Sequence, residues 1–354
     1  MSILGIDHVE FYVADLQAAA ESLCRDFGFA NAGPYEPGAL GDRPAGTSVL
    51  LHQGTIVLLL TAADTPEHPA ADYVGRHGDG VASLAFRVDD VAKAFDQAIM
   101  GGARPVAAPA FGGHDGGRVG LAVVSGFGDV THRLVERAGS AAGAQAGTGP
   151  AGMFQVLDHA AICLPAGQID ATVRFYRDAF SFAHVFDERI EVNGQAMISK
   201  VVQDEAGAVT FTLIEPDPNH NPGQIDEFLD RHGGAGVQHL ALRTADIAQA
   251  VRSLSARGVK FLAAPPGYYS RLEPRLGALA IPVEVLREVN VLADRDKWGE
   301  LFQIFTRSTH ERSTFFIELI ERHGALTFGS GNIKALYEAL GEEQASKTPA
   351  ASRD

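Results

Sequence analysis

The chain has 354 residues, 46% of them hydrophobic and 21% charged, a composition that suits a globular protein long enough for two cores. A formal charge of −15 with no basic cluster argues against a nucleic-acid partner, since phosphate contacts rest on lysine and arginine. Two cysteines, Cys24 and Cys163, cannot build a disulfide framework, and no apolar run approaches the roughly 18 residues of a membrane span. The opening "MSILGIDHVEFYV" has no basic leader region, so a cytoplasmic protein is expected.

In chain order, "DHVEFYV" from Asp7 alternates as a half-buried strand and runs into an Ala-rich helix. "GDGVASLAFRVDDVAKAF" (78–95) repeats that pattern and continues as "MGGARPVAAP"; "GDVTHRLVER" closes the half near residue 133. The stretch 138–152, "AGSAAGAQAGTGPAG", offers no apolar face and reads as a linker. Then the chain repeats itself. "DHAAICLPAGQIDATVRFYRDAF" from Asp158 answers the first strand and helix, "GAGVQHLALRTADIAQAV" (234–251) with "ARGVKFLAAP" answers the second, and "TFFIELIER" answers the closing strand. "GNIKALYEAL" places Ile333, Leu336, Tyr337 and Leu340 on one helical face, ahead of a polar tail. The expected organisation is a domain at 1–138, a linker at 139–152, a second domain at 153–343 and a tail at 344–354. Each half holds two strand-helix-strands modules.

Aligning the halves isolates a chemical difference. His8 coincides with His159, but Ser83 stands where the second copy has His239, and Arg133 where it has Glu318. Two imidazoles and a carboxylate form the facial donor set that leaves coordination positions open and suits non-haem Fe(II). The same donors also serve zinc hydrolases, and a lone histidine on an apolar strand is usually a hydrogen-bonded core residue. Because a guanidinium cannot ligate a cation, the first half reads as a metal-free scaffold. Cys163 shares the His159 face and receives no role.

"DHAAIC", "GQIDEFL", "GVQHLAL", "LFQIFT", "TFFIELIER" and "FGSGNIKALYEAL" occur in this order. With them the chain resembles the 4-hydroxyphenylpyruvate dioxygenase family of the vicinal oxygen chelate superfamily, weakly over 1–150 and densely over 157–343. The resemblance implies an α+β fold of duplicated βαβββ modules in two open barrel-like domains. It implies Fe(II) on His159, His239 and Glu318, with 4-hydroxyphenylpyruvate and O2 as substrates and the 2-oxo acid chelated through carboxylate and ketone. Ser199, Gln224, Gln238 and Gln303 align with polar pocket residues, and Phe316 and Phe328 with the aromatic wall. Gln303 carries the most weight, since "LFQIFT" leaves its amide in need of a partner; alternation points Gln238 away from His239.

Two products are known for this architecture: homogentisate, by ring hydroxylation with side-chain migration, and 4-hydroxymandelate, by benzylic hydroxylation. The family usually reads "GNFKALFE" and "PLNEP", whereas this chain reads "GNIKALYE" and "TLIEP". The departures, Ile333, Tyr337, Thr212 and Ile214, match the mandelate-forming branch. The expected activity is therefore Fe(II)-dependent conversion of 4-hydroxyphenylpyruvate and O2 to 4-hydroxymandelate and CO2, with homogentisate as the alternative product. A non-catalytic binding module and a zinc hydrolase or isomerase are the other classes. Small molecules are the expected partners, without nucleic acid or membrane, and exposed strand edges are compatible with a homodimer.

Overall fold

A computed structural model describes residues 2–35, 46–114, 117–138, 152–264 and 267–334. The linker, apart from Gly152, and the tail lie outside the described residues, as do Leu336, Tyr337 and Leu340.

The first module is β1 (Ile3–Tyr12), α1 (Leu16–Ser22), β2 (Ala30–Pro34), β3 (Gly46–Gln53) and β4 (Ile56–Ala63). After α2 (Pro69–His77) come β5 (Gly80–Val88), α3 (Val91–Met100), β6 (Pro105–His114), β7 (Gly117–Ser125) and β8 (Thr131–Ala138). The third module is β9 (Phe154–Cys163), α4 (Ile169–Phe180), β10 (Ala183–Val192), β11 (Gln195–Gln203) and β12 (Thr210–Pro216). After α5 (Gln224–His232), the fourth runs β13 (Gly236–Thr244), α6 (Ile247–Ala256), α7 (Leu272–Leu276), α8 (Val283–Val289), β14 (Leu292–Arg295), β15 (Glu300–Phe305) and β16 (Phe316–His323).

Two eight-stranded sheets result, ordered β2-β3-β4-β1-β5-β8-β7-β6 and β10-β11-β12-β9-β13-β16-β15-β14. The orders are identical module for module, so the duplication seen in the sequence is a duplication of topology. Local chemistry starts the helices at matching places. Asp15, Asp90 and Asp246 cap α1, α3 and α6 by accepting from the backbone N–H groups of Ala18, Lys93 and Gln249.

Period-two alternation then sorts the side chains by face. On β9, Ala160 and Ile162 enter a large core that also contains Phe86 and Leu134 of the first half, whereas Ala161 and Cys163 face a smaller cluster within the second sheet. The two sheets therefore share one core on their outer faces and keep their inner faces separate. The helices α3 and α4 meet so closely that a Cβ at Gly101 would lie 2.4 Å from the backbone of Ala179, which reserves that position for glycine.

The fourth module departs from the expected repeat. "ARGVKFLAAP" does not form the counterpart of β6; Phe261 alone bridges to Thr306, and the edge strand β14 comes only after α7 and α8. Among the described residues no helix is long and apolar enough to cross a membrane.

Candidate metal centre

Three adjacent strands bring the donors together. Antiparallel pairing sets Ala241 of β13 opposite His159 of β9, and parallel pairing sets the same Ala241 opposite Glu318 of β16. His159 and Glu318 thus flank a methyl group, which leaves the space between them clear, and His239 follows two residues along on the same face. Glu318 Oε2 lies 3.4 Å from His159 Nε2 and 3.3 Å from His239 Nε2. The three donor atoms fall within 4.8 Å of one another, and all three residues are buried. They form the one such group among the described residues.

Each imidazole is oriented from behind. His159 Nδ1 is 3.0 Å from Asp158 Oδ1, and Asp158 is held in turn by Arg322 through Nη2 at 2.8 Å and Nε at 2.9 Å. With Nδ1–H donating to that carboxylate, the neutral imidazole that a cation would bind presents its Nε2 lone pair to the centre. Burial opposes charge on Asp158, but hydrogen bonds from His159 and Arg322 outweigh it and keep its carboxyl far below the usual range. His239 Nδ1 is 3.2 Å from Gln238 Oε1. This corrects the expectation from alternation that Gln238 points away. The β13–β9 register shifts between Val237 and His239, and such a bulge breaks the strict alternation on which that expectation rested.

The three donors couple electrostatically. Burial favours a neutral Glu318, yet the charge and hydrogen bond of His159, with those of His239, hold its carboxyl at about 2. Burial likewise opposes a charged His159, but Glu318 and Asp158 raise it to about 9, while burial dominates at His239 and lowers it. A buried anion between two imidazoles is the electrostatic arrangement a cation would complete.

Around these donors the sequence-derived candidates fall into two groups. Gln303, fully buried, donates through Nε2 to Glu318 Oε1 at 2.7 Å. The Phe328 ring meets His159 edge-on with centroids 5.0 Å apart, and Phe316 stacks on His239 at 4.9 Å. Ile333 packs against the cluster of Ala161, Cys163, Ile190, Val192, Met197 and Ile214. Thr212 lies on the same face of β12 as Ile214, and its buried hydroxyl has no hydrogen-bond partner among the described residues. Ser199 is buried opposite Ile214 on β11. Gln224 is half-buried as the first residue of α5. Cys163 is an apolar wall residue whose thiol burial pushes well up, away from thiolate chemistry.

Sequence reasoning missed Asp158, Arg322, Asn332 and Tyr268. Asp158 sits beside a recognised histidine, and its repetition as Asp7 was a usable signal. A cavity of about 760 Å³ between the halves is lined by the outward residues Leu240, Leu242 and Ile317 and contains none of the three donors.

The first half supplies the control. His8 Nδ1 is 2.8 Å from Asp7, and Arg137 holds Asp7 at 2.7 and 2.8 Å, repeating His159, Asp158 and Arg322. The centre differs: Arg133 stands opposite Ala85 where Glu318 faces Ala241, and it pairs with Glu10 at 2.5 Å. Glu10 occupies the place of Ala161, and its other oxygen accepts from Thr61 at 2.9 Å. A guanidinium thus stands where the second half has its carboxylate donor.

Comparison with known proteins agrees with this architecture. Residues 1–145 match the family described as hydroxyphenylpyruvate dioxygenase, N-terminal, and residues 156–273 match the glyoxalase/bleomycin resistance protein/dioxygenase superfamily. A 4-hydroxyphenylpyruvate dioxygenase of Dictyostelium discoideum is 34% identical over 96% of this chain and 98% of that protein. The chain belongs to the 4-hydroxyphenylpyruvate dioxygenase family. Another such dioxygenase, from Xenopus tropicalis, is 32% identical over 96% of the chain and 91% of its own length. The structure of a triple mutant of 4-hydroxymandelate synthase from Streptomyces coelicolor superposes with a TM-score of 0.87 at 45% identity, covering 97% of this chain and all of that one. The duplicated modules are those of the vicinal oxygen chelate fold, and the chain is a dioxygenase of this family.

Proposed function

We propose that this dioxygenase is a non-haem Fe(II), 2-oxo acid-dependent enzyme that converts 4-hydroxyphenylpyruvate and O2 to 4-hydroxymandelate and CO2. The observation that carries the proposal is the buried group of His159, His239 and Glu318. Three protein donors leave coordination positions for a chelating substrate. An Fe(II) ion held there would supply the electron transfer that O2 requires and that no side chain provides.

The remaining work belongs to the chain's own residues. Asp158 and Gln238 fix the two imidazoles with Nε2 inward. Phe328 and Phe316, already packed on the histidines, give an aromatic ring apolar surfaces to lie against. Ser199 and Thr212, diagonal neighbours across β11 and β12, offer hydroxyls to the polar groups of the substrate, and the unpartnered Thr212 Oγ1 gains most from such a contact. The atoms balance when one oxygen atom completes the shortened carboxylate, the other becomes the benzylic hydroxyl, and the original carboxylate leaves as CO2. In this reading 153–343 is the catalytic domain and 1–138 its metal-free scaffold.

Benzylic hydroxylation is favoured by Ile333, an aliphatic residue packed on the apolar wall beside Ala161 and Ile214. A displacement on the order of 1 Å decides which carbon is within reach of an oxidant. The likeness to the Streptomyces coelicolor synthase supports the same product, whereas the names of the Xenopus tropicalis and Dictyostelium discoideum relatives favour homogentisate as the second reading. Chromatography of the product formed with Fe(II), O2 and 4-hydroxyphenylpyruvate separates them, and homogentisate as the main product refutes the first.

A further inference from the structure

The carboxylate of Glu318 is approached differently at its two oxygens. Oε2 faces both imidazoles, while Oε1 accepts from Gln303 Nε2 at 2.7 Å. That Nε2 also reaches the Phe328 carbonyl at 3.3 Å, and the other end of the amide, Oε1, accepts from Asn332 Nδ2 at 2.9 Å. Asn332 is fully buried in the helical stretch 330–334, and its Oδ1 lies 2.9 Å from the Tyr268 hydroxyl. Tyr268 accepts from the Ala293 N–H at 2.9 Å, and its one proton is shared between Asn332 Oδ1 and the Ala293 carbonyl at 3.0 Å. The backbone of Gly329, at φ +70°, presses on the same amide: a Cβ there would lie 2.3 Å from Gln303 Oε1.

A primary amide is a rigid two-ended group, with a donor at one end and an acceptor at the other. Whatever holds Gln303 Oε1 therefore decides which atom is presented to Glu318. The donors run in one sense, from Tyr268 to Asn332 to Gln303 to Glu318, and a buried chain of this kind is stable only when every member is satisfied.

We infer that Asn332 is a positioning residue that couples the seating of the 330–334 helix to metal occupancy, by fixing the amide of Gln303 with its donor toward Glu318. The inference rests on the metal reading of the three donors. When the helix is seated, Asn332 locks Gln303 and the carboxylate keeps its partner. When the helix withdraws, Gln303 is free to turn and Glu318 loses its orientation. Linkage makes the effect reciprocal, so metal binding seats the helix as much as the helix favours the metal.

The test uses the purified full chain stripped of metal, with Co(II) as the probe. In the wild type, saturating Co(II) should slow amide hydrogen exchange across 328–334 by about tenfold or more. Asn332→Asp keeps the acceptor for Tyr268 but removes the donor, so Gln303 turns its Nε2 toward the new carboxylate and sets Oε1 against Glu318. Co(II) affinity should then fall roughly 10–100-fold, the range for partners that orient ligands, and the metal-dependent protection should vanish. Asn332→Ala, which removes the partner without forcing the turn, should weaken Co(II) less than Asn332→Asp. Wild-type affinity in Asn332→Asp, or exchange in the wild type that ignores Co(II), overturns the coupling; the second measurement needs no variant to fold. A wild type that binds no Co(II) instead refutes the metal reading on which the coupling stands.

Discussion

Ala241 stands between His159 and Glu318 across three strands, and its methyl leaves the centre to their side chains. His159→Ala, His239→Ala and Glu318→Ala each remove one of three donors and should abolish metal retention and turnover, whereas His8→Ala, in the half where Arg133 replaces the carboxylate, should retain metal. Metal content of the purified variants reads both outcomes. Ile333→Phe adds a ring to the wall formed by Ala161, Cys163 and Ile214, and should divert part of the turnover from 4-hydroxymandelate to homogentisate or 4-hydroxyphenylacetate, with metal content unchanged. Product ratios at equal oxygen consumption measure it, and an unaltered ratio makes Ile333 a packing residue. The three donors were legible in the sequence because the first half, with Ser83 and Arg133, supplied a blank copy. Gln238 was misread, since a bulge is invisible to a two-residue period. Asn332 and Tyr268 could not be found because their partners lie 29 and 64 residues distant in the chain.

Strands β1 and β8 show how the fold manages without a metal. Arg133 and Glu10 are both buried and paired, so Arg133→Ala strands a carboxylate in the interior. This should cost about 3–5 kcal/mol without lowering metal content, because the donors stand on β9, β13 and β16. Replacing both partners, as Arg133→Met with Glu10→Leu, should recover most of the loss, and urea unfolding of single and double variants reads the difference. Equal stability of Arg133→Ala and wild type contradicts the ion-pair account. At this scale the modules were legible from their strand-helix repeats, and the structure starts three of their helices at capping aspartates 15, 90 and 246. The one misplaced element is the edge strand of the fourth module, which β14 supplies only from Leu292, well beyond the β bridge at Phe261. The likeness of "ARGVKFLAAP" to "MGGARPVAAP" suggested a matching strand, and the inserted segment that carries Tyr268 has no copy in the first half to reveal it.

Across the whole molecule the halves are joined through aromatic packing. His132 of β8 stacks on Phe86 and reaches the second half through Tyr176, whose hydroxyl lies 3.0 Å from Nε2, while Nδ1 is 3.2 Å from the Leu84 carbonyl. Burial lowers His132 from 6.5 to about 4. The folded state therefore binds this proton more weakly than the unfolded chain, so its contribution to stability is intact above pH 6.5 and is lost as pH falls toward 4. By pH 5 that loss is about 2 kcal/mol. Urea unfolding at pH 7.5 and pH 5 should show it in the wild type, with a smaller pH difference in His132→Gln; equal differences contradict the assignment. The central claim, that His159, His239 and Glu318 serve an oxygenase directed at the benzylic carbon, is tested most directly by mass spectrometry of the product formed from 4-hydroxyphenylpyruvate and Fe(II) under ¹⁸O2. The account predicts 4-hydroxymandelate labelled in both the benzylic hydroxyl and the carboxylate, and homogentisate, or a product without label, would contradict it.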